Sequence, residues 1–462
     1  MALDSPRMTN VPDRVNVLLL GTGGREHALA WRLSQSPRLG TLWVQRGANA
    51  GLASLGQACP EEIATSKAFY LTRWCDREEI GLVVIGPEGP LADGMADLLV
   101  APGRVVFGPR RELAQIEADK AWAKAIMREA LVPTAEGRVF TNAAAALKYV
   151  SDRDEPCVVK AAGLCAGKGV TVCNSADEAR RAVNACFAQV GHGASTAKVV
   201  IEERLEGQEL SVLALVDGHT ITILDPCQDH KQVGEGDTGP NTGGMGAYCP
   251  TPLAPDELID AVSRNVLVPT VDALLRRGED DPNALPFRGV LYAGLMLTPA
   301  GPKVLEYNAR FGDPETQALM MRFKGDLLEV LWHTASGSLS EASFSMDPRH
   351  SCCVVVCAEG YPGTPRAGDP IDGIEEAEAE AGPGQLVKVF HAGTRVGPGA
   401  GTGALPLTAG GRVLGVTAMA GSLRDAAELA TRAAGRIRFP GAFFRHDIGH
   451  RVLGKAKVVG AQ

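Results

Sequence analysis

KVLEYNARFGDPETQ, residues 303–317, changes character halfway along. The first half alternates like a strand. Lys303, Leu305 and Tyr307 fall on one face, and Val304, Glu306 and Asn308 fall on the other. A carboxylate and an amide oxygen two residues apart on one strand face can both reach a hard cation such as Mg²⁺. Arg310 follows, a planar fork suited to phosphate or carboxylate. Gly312, Asp313 and Pro314 read as a turn, and Glu315 as a carboxylate at a helix start, where the dipole favours it. A lone Glu-x-Asn is usually a solvated strand face. The Arg-Phe-Gly-Asp-Pro-Glu run directly behind it, and a second glycine-rich loop upstream, favour a metal site.

The 462 residues are 45% hydrophobic, ordinary for a soluble globular chain, and suggest about three domains. Net charge is −8 and the pI is near 5.7. Bulk charge therefore argues against nucleic acid, and any phosphate site must be local. No run of about 18 apolar residues predicts a membrane span. Residues 1–14 have no apolar core and read as a loose extension rather than a signal peptide. The eleven cysteines form no paired CxxC and read as small buried hydrophobes in a reducing cytoplasm.

From Val15 the chain shows a βαβ rhythm and predicts a parallel α/β unit over 15–115. The apolar run 15–20 enters Gly21-Thr22-Gly23-Gly24 and a helix, a ready anion cradle at Gly23 and Gly24. The turn is G-x-G-G, too short for the full dinucleotide fingerprint. Strands at 41–44, 81–85 and 105–107 each end in glycine-rich loops. The 86–90 loop carries Glu88, a candidate for sugar hydroxyls or an ordinary turn residue.

Residues 112–130 read as one helix bearing Lys120 and Lys124. A strand at 157–161 carries Lys160, and the loop Gly163-Leu164-Cys165-Ala166-Gly167-Lys168-Gly169 leads to a return strand at 170–173. That loop lacks the Walker A spacing and its Ser/Thr. As a glycine-rich hairpin flap with lysines at its base, it still suits a triphosphate. A strand at 199–201 runs into an acidic loop, 202–209. Such a loop can offer backbone to a base and a carboxylate to ribose. Residues 228–246 form a long polar, glycine-rich segment with little expected regular structure, the mark of a functional loop. A hairpin of 289–297 with 304–308 presents Glu306 and Asn308. The last unit, with strands at 352–357, 387–392 and 412–417 and a helix at 423–437, shows no dense site chemistry.

The chain resembles the glycinamide ribonucleotide synthetases (phosphoribosylamine–glycine ligases) of the ATP-grasp superfamily. The resemblance spans nearly everything after the extension. It rests on GTGGREHAL (21–29), GPEGPL (86–91), AGKGV (166–170), QDHK (228–231), DTGPNTGGMGAY (237–248), LYAGLM (291–296) and RFGDPETQ (310–317). EGYPG (359–363), FHAGT (390–394) and GGRVLGVTA (410–418) support it. The fold it implies is multidomain, α/β and α+β. An N-terminal parallel α/β domain covers 15–115, and an ATP-grasp domain 116–337 contains a mobile flap at about 134–204. A C-terminal mixed α/β domain covers 338–462.

The resemblance implies a carbon–nitrogen ligase of purine biosynthesis, cytoplasmic, and a monomer or weak homodimer. Its small-molecule substrates would be glycine, 5-phosphoribosylamine and ATP, and its metal Mg²⁺ or Mn²⁺. Neither nucleic acid nor membrane is an expected partner. Glu306 and Asn308 would hold the metal. Lys120, Lys160, Gly163, Gly167, Lys168 and Gly169 would handle the triphosphate, Glu202, Glu203 and Leu205 would frame adenine, and Glu209 would take the ribose. Arg310 and Asp229 would be catalytic. Gly23, Gly24, Glu88, Asp229 and Arg310 would meet phosphoribosylamine or glycine.

Three departures from the family pattern stand out: an extra residue in Arg46–Gly51, Ala162 where the family has an acid, and Asp119 where it has serine. Rival readings fit less well. Another ATP-grasp enzyme should lack DTGPNTGGMGAY. A nicotinamide oxidoreductase should have an acid where Gln45-Arg46 stands. A scaffold descended from the enzyme should have lost Glu306 or Asn308.

Overall fold

The computed structural model describes residues 10–165, 169–188, 198–277, 286–397 and 405–454. The apolar run Val15–Leu20 is the central strand of a five-stranded parallel sheet. Leu39–Val44 and Gln57–Ala58 lie to one side of it; Ile80–Ile85 and Val105–Phe107 lie to the other. Helices cover both faces, so the strand carries no polar alternation. The strand order reverses between Val15–Leu20 and Ile80–Ile85. The loops that follow these two strands, from Gly21 and Gly86, therefore meet at their carboxyl ends, where such sheets bind ligands. Gly86 N–H donates to Leu20 C=O at 3.1 Å and joins the two loops.

The single helix expected over 112–130 is two helices, Arg111–Ala118 and Lys120–Glu129. Asp119 interrupts them in an extended conformation (φ −135°), and its carboxylate accepts from Ala121 N (2.8 Å) and Trp122 N (3.1 Å). A good N-cap residue ends one helix and starts the next. Lys120 thereby becomes the first residue of a helix whose N-terminus meets the flap, with its N–H bonded to Ala162 C=O.

The flap is an antiparallel sheet of Gly137–Phe140, Val199–Glu203, Cys157–Ala161 and Val170–Cys173. Facing it is a second antiparallel sheet, Ile221–Ile223, Gln208–Val216, Gly289–Thr298 and Gly301–Asn308. A third antiparallel sheet closes the molecule with His350–Cys357, Arg412–Ala420 and Leu386–His391, backed by the helix Leu423–Ala434.

The 228–246 segment has more regular structure than its composition suggests. Gln232–Gly234 and Thr238–Asn241 pair as a two-stranded ribbon. Gln228–Asp229 and Gly246–Cys249 extend the C-terminal sheet through Ser351–Val354. Short strands rich in Gly, Asn and Thr leave no period-2 signature; the partner strand dictates their form. All eleven cysteines are free, and most are buried. Among the described residues no helix is long and apolar enough to cross a membrane.

Candidate functional site

One cavity of about 620 Å³ opens where the N-terminal loops, the flap and the 289–308 hairpin converge. The hairpin supplies its floor. Glu306 pairs across the sheet with Gly294, and Asn308 with Tyr292, so both polar side chains point into the cavity. Glu306 faces a crowd of cations. Burial pushes its carboxyl up, but Lys231, Lys160, Lys120 and Arg310 outweigh burial and hold it below the usual carboxylate value. Lys231 Nζ is 3.9 Å from Glu306 Oε1 and 2.7 Å from Glu209 Oε2.

Asn308 Oδ1 accepts from Arg310 at 3.1 Å. Arg310 also pairs with Glu117 Oε1 at 3.0 Å and stands 3.4 Å from Glu88 Oε2. Burial disfavours this guanidinium, and Glu117 with Glu88 more than restores its charge. Arg310 is thus held by two acids from two different elements: Glu88, which opens the short helix Glu88–Ala92 where the sequence suggested a loop, and Glu117 on the helix Arg111–Ala118.

The lysines are organised by one buried carboxylate. Glu202 Oε1 lies 2.6 Å from Lys124 Nζ, and Oε2 lies 2.7 Å from Lys160 Nζ; all three residues are at most 5% exposed. Lys160 also donates to Leu305 C=O (2.9 Å), and Lys124 to Thr134 Oγ1 and Ala135 C=O, each at 2.9 Å. The Glu202 carboxylate is thus taken by the two lysines. Lys120 Nζ approaches Gly163 C=O at 3.4 Å, and Leu164, Cys165 and Gly169 line the cavity beyond it. Gly167 and Lys168 lie outside the described residues.

Gly23 also lines the cavity, whereas Gly24, Glu203, Leu205 and Glu209 do not. Gly23 N–H is taken by Glu26 Oε2 at 2.7 Å, so the protein's own carboxylate sits in the expected anion cradle. Gly24 packs closely on its neighbours: a Cβ there would lie 2.7 Å from Gln317 Nε2 and 3.3 Å from Ala392 Cβ. Glu203 turns to Lys303 (2.8 Å) and Glu136 N (3.0 Å), and neither Glu203 nor Leu205 lines the cavity. Asn49, in the departing 46–51 loop, is a tie within the fold: its amide donates to Thr22, Gly23 and His391 carbonyls at 2.9–3.0 Å.

Asp229 faces the cavity from the QDHK strand. Its Oδ1 is buried and has no hydrogen-bond partner among the described residues. Burial, then the neighbouring Glu315, pushes its carboxyl well above the usual range. Glu315 Oε1 in turn accepts from Tyr292 Oη (2.6 Å) and Ser211 Oγ (3.2 Å).

Several cavity residues carried no role in the sequence reading: Lys231, Glu117, Asp313, Glu315 and Arg412. Lys231, Asp313, Glu315 and Arg412 sit inside quoted motifs, which was their one signal; Glu117 lies in none. Arg412 is the one residue of the C-terminal unit among the described residues lining the cavity. It reaches the cavity and pairs with Asp313 Oδ2 at 3.3 Å.

Among the described residues no group of three or more His, Cys, Asp or Glu could hold a metal. Glu306 and Asn308 are an oxygen-only pair in a cation-lined cavity. That suits a hard cation whose other ligands come from phosphates and water.

Two antiparallel sheets closing on such a cleft, beside a parallel domain and under a third sheet, define an ATP-grasp ligase. Three family models cover the chain: phosphoribosylglycinamide synthetase N domain over residues 15–117, ATP-grasp (A) domain over 118–316 and C domain over 351–451. The chain belongs to the phosphoribosylglycinamide synthetase family. It is 47% identical to a phosphoribosylamine–glycine ligase of Synechocystis, over 95% of this chain and 100% of that one. It is 45% identical to the ligase of Rhodopirellula baltica, over 95% and 98%. The crystal structure of the Thermotoga maritima phosphoribosylamine–glycine ligase matches with TM-score 0.75 and 29% identity, covering 94% of this chain and all of that one. A biotin carboxylase domain from Hydrogenobacter thermophilus shares the fold at TM-score 0.69 and 16% identity, over 94% and 92%. Family members use ATP and a divalent metal.

Proposed function

We propose that the cleft joins glycine to 5-phosphoribosylamine with ATP, giving glycinamide ribonucleotide, ADP and phosphate for purine biosynthesis. The family membership supports the overall reaction. The observation that carries the site assignment is one cavity holding the Glu306–Asn308 pair, the Lys120/Lys160 cations, Arg310 and, across from them, the unpartnered Asp229.

A carboxylate is a poor electrophile, and phosphorylation gives it a leaving group. A glycine carboxylate oxygen attacks the γ-phosphorus and ADP leaves. The amine nitrogen then attacks the acyl carbon, phosphate departs, and the nitrogen loses a proton. Phosphoryl transfer needs positioning and charge neutralisation rather than a covalent nucleophile. Glu306 and Asn308 would hold Mg²⁺ or Mn²⁺, whose charge would offset that of the phosphates. Lys120, Lys160 and the 163–169 loop hold the triphosphate. The 202–205 backbone meets adenine, and Glu209, fixed by Lys231, lies toward the ribose. Arg310 neutralises the acyl phosphate. Asp229 offers its free oxygen to a substrate nitrogen. Residues 15–115, 116–337 and 338–462 act as the amine-side, nucleotide and closing domains, with no nucleic acid or membrane as partner.

The test is ADP release by the purified protein with Mg-ATP and glycine, with and without fresh phosphoribosylamine. Release that needs both, and that ignores alanine and bicarbonate, is expected. Release driven by bicarbonate or another acid would overturn the substrate assignment and leave the fold intact.

A further inference from the structure

We propose that Arg412, from the C-terminal sheet, is a positioning residue that sets the acceptor side of the cleft. One guanidinium nitrogen, Nη1, donates to Gly243 C=O (2.6 Å), Asp313 C=O (2.8 Å) and Gly244 C=O (3.4 Å). Nη2 lies 3.3 Å from Asp313 Oδ2. A single side chain thus joins three segments: the C-terminal strand Arg412–Ala420, the 242–245 turn and the turn that follows the metal-pair strand.

The joined turns form the wall around Asp229. Gly244 has φ +112°, and a Cβ there would come within 2.9 Å of Asp229 Oδ1 and 2.5 Å of Pro314 Cδ. That turn backbone therefore sits directly on the unpartnered carboxylate, in a conformation only glycine adopts freely. The ends of the turn are held by Thr242 N–H to Lys231 C=O and Met245 N–H to His230 C=O, each at 2.8 Å. At its tip Gly243 N–H donates to Tyr361 Oη (3.1 Å), Gly244 N–H to Thr242 Oγ1 (3.0 Å), and both tip carbonyls accept from Arg412. The far ends of the segment are held by the same domain. Arg451 donates to Asp229 C=O (3.0 Å) and pairs with Asp237 (2.8 Å), and Arg445 pairs with Asp237 (3.0 Å). The triphosphate lysines make no bond to these arginines among the described residues, and the ribose side meets the segment through Lys231, which pairs with Glu209. Lys160, Lys124 and Glu202 are fixed by the flap and by Leu305. The arrangement separates two tasks: the flap organises the nucleotide, and the C-terminal domain organises the acceptor pocket through Arg412. This rests on the assignment of Asp229 to a substrate nitrogen.

The experiment compares Arg412→Met and Arg412→Lys with the parent, using steady-state kinetics and amide hydrogen exchange over 241–246. In Arg412→Met the KM of glycine or of phosphoribosylamine should rise about 10- to 100-fold, the scale of a displaced positioning contact. The KM of ATP should stay within about twofold of the parent. Exchange in 241–246 should speed up, and added guanidinium ion should restore part of the loss. Arg412→Lys keeps the charge but not the fork and should fall between; it decides the matter alone if Arg412→Met does not fold. Unchanged exchange and unchanged substrate KM values would overturn the proposal. So would an equal loss on ATP and acceptor without guanidinium rescue, the mark of a purely structural arginine. Faster exchange with unchanged kinetics would place the turn away from the substrates, and so overturn the proposal through its Asp229 assignment rather than its geometry.

Discussion

Glu202 lies 2.7 Å from Lys160 and 2.6 Å from Lys124, with all three side chains buried. One carboxylate thus faces two ammonium groups, and burial lowers the pKa of Lys124 despite that partner. The surplus positive charge is what a triphosphate would meet. Breaking a buried pair on one side leaves a charge uncompensated and costs about 3–5 kcal/mol. Glu202→Ala should therefore lower stability by that order in urea unfolding. ATP should also bind more weakly in titration calorimetry, because Lys160 loses its aim. Unaltered unfolding would show that the lysines find other partners.

Glu306→Ala removes the only carboxylate of the proposed metal pair while leaving the Gly294 ladder intact. Metal stabilisation of transferring phosphoryl charge is worth several kcal/mol, so turnover should fall at least about 1,000-fold. Circular dichroism should be unchanged. Near-normal ADP release would remove the metal from the argument.

Asp119 both caps the helix Lys120–Glu129 and pairs with Lys198 at 2.9 Å. Asp119→Ala should cost about 1 kcal/mol from the cap alone. Asp119→Ser should recover most of the cap but not the tie to Lys198. Denaturant midpoints of the two variants check this.

Stability should fall with acid through histidines that the fold keeps neutral. His27 Nδ1 accepts the His391 backbone N–H at 2.7 Å, and His230 Nε2 accepts the Gly449 N–H at 3.1 Å, so neither nitrogen can carry a proton in place. Burial pushes His27 and His230 well below 6.5; burial and then Lys388 bring His391 to about 4. Between these folded values and the unfolded value near ~6.5, the unfolded chain binds more protons. Stability should thus be complete above about pH 7 and be lost as pH falls from there toward 4. His27→Gln keeps an acceptor and should flatten the slope; an unchanged unfolding profile would place the acid sensitivity elsewhere.

The fold was legible where chemistry is local. Val15–Leu20 reads as a buried parallel strand because five apolar residues in six precede a glycine turn, and it is one. The 289–308 hairpin was readable because alternation and turn residues agree. The helix break at Asp119 was missed because an amphipathic pattern runs straight through it. The strands within 228–246 were missed because their Gly, Asn and Thr residues leave no alternation to read. Gln232–Gly234 and Thr238–Asn241 pair with each other, and Gln228–Asp229 pairs with the strand Gly246–Cys249, which in turn rests on Ser351–Val354, a hundred residues away.

The sequence by itself determined the class of chemistry. Glu306, Asn308 and Arg310 are close in the chain, and strand periodicity alone puts the first two on one face. Only the tertiary structure decided what surrounds them. Glu26 occupies its own anion cradle, Glu202 joins two lysines, Asp229 lies unpartnered beneath Gly244, and Arg412 arrives from the opposite end of the chain. These relations bring together residues separated by as few as three positions and as many as 169. Side-chain direction and burial set them, and neither periodicity nor spacing encodes those.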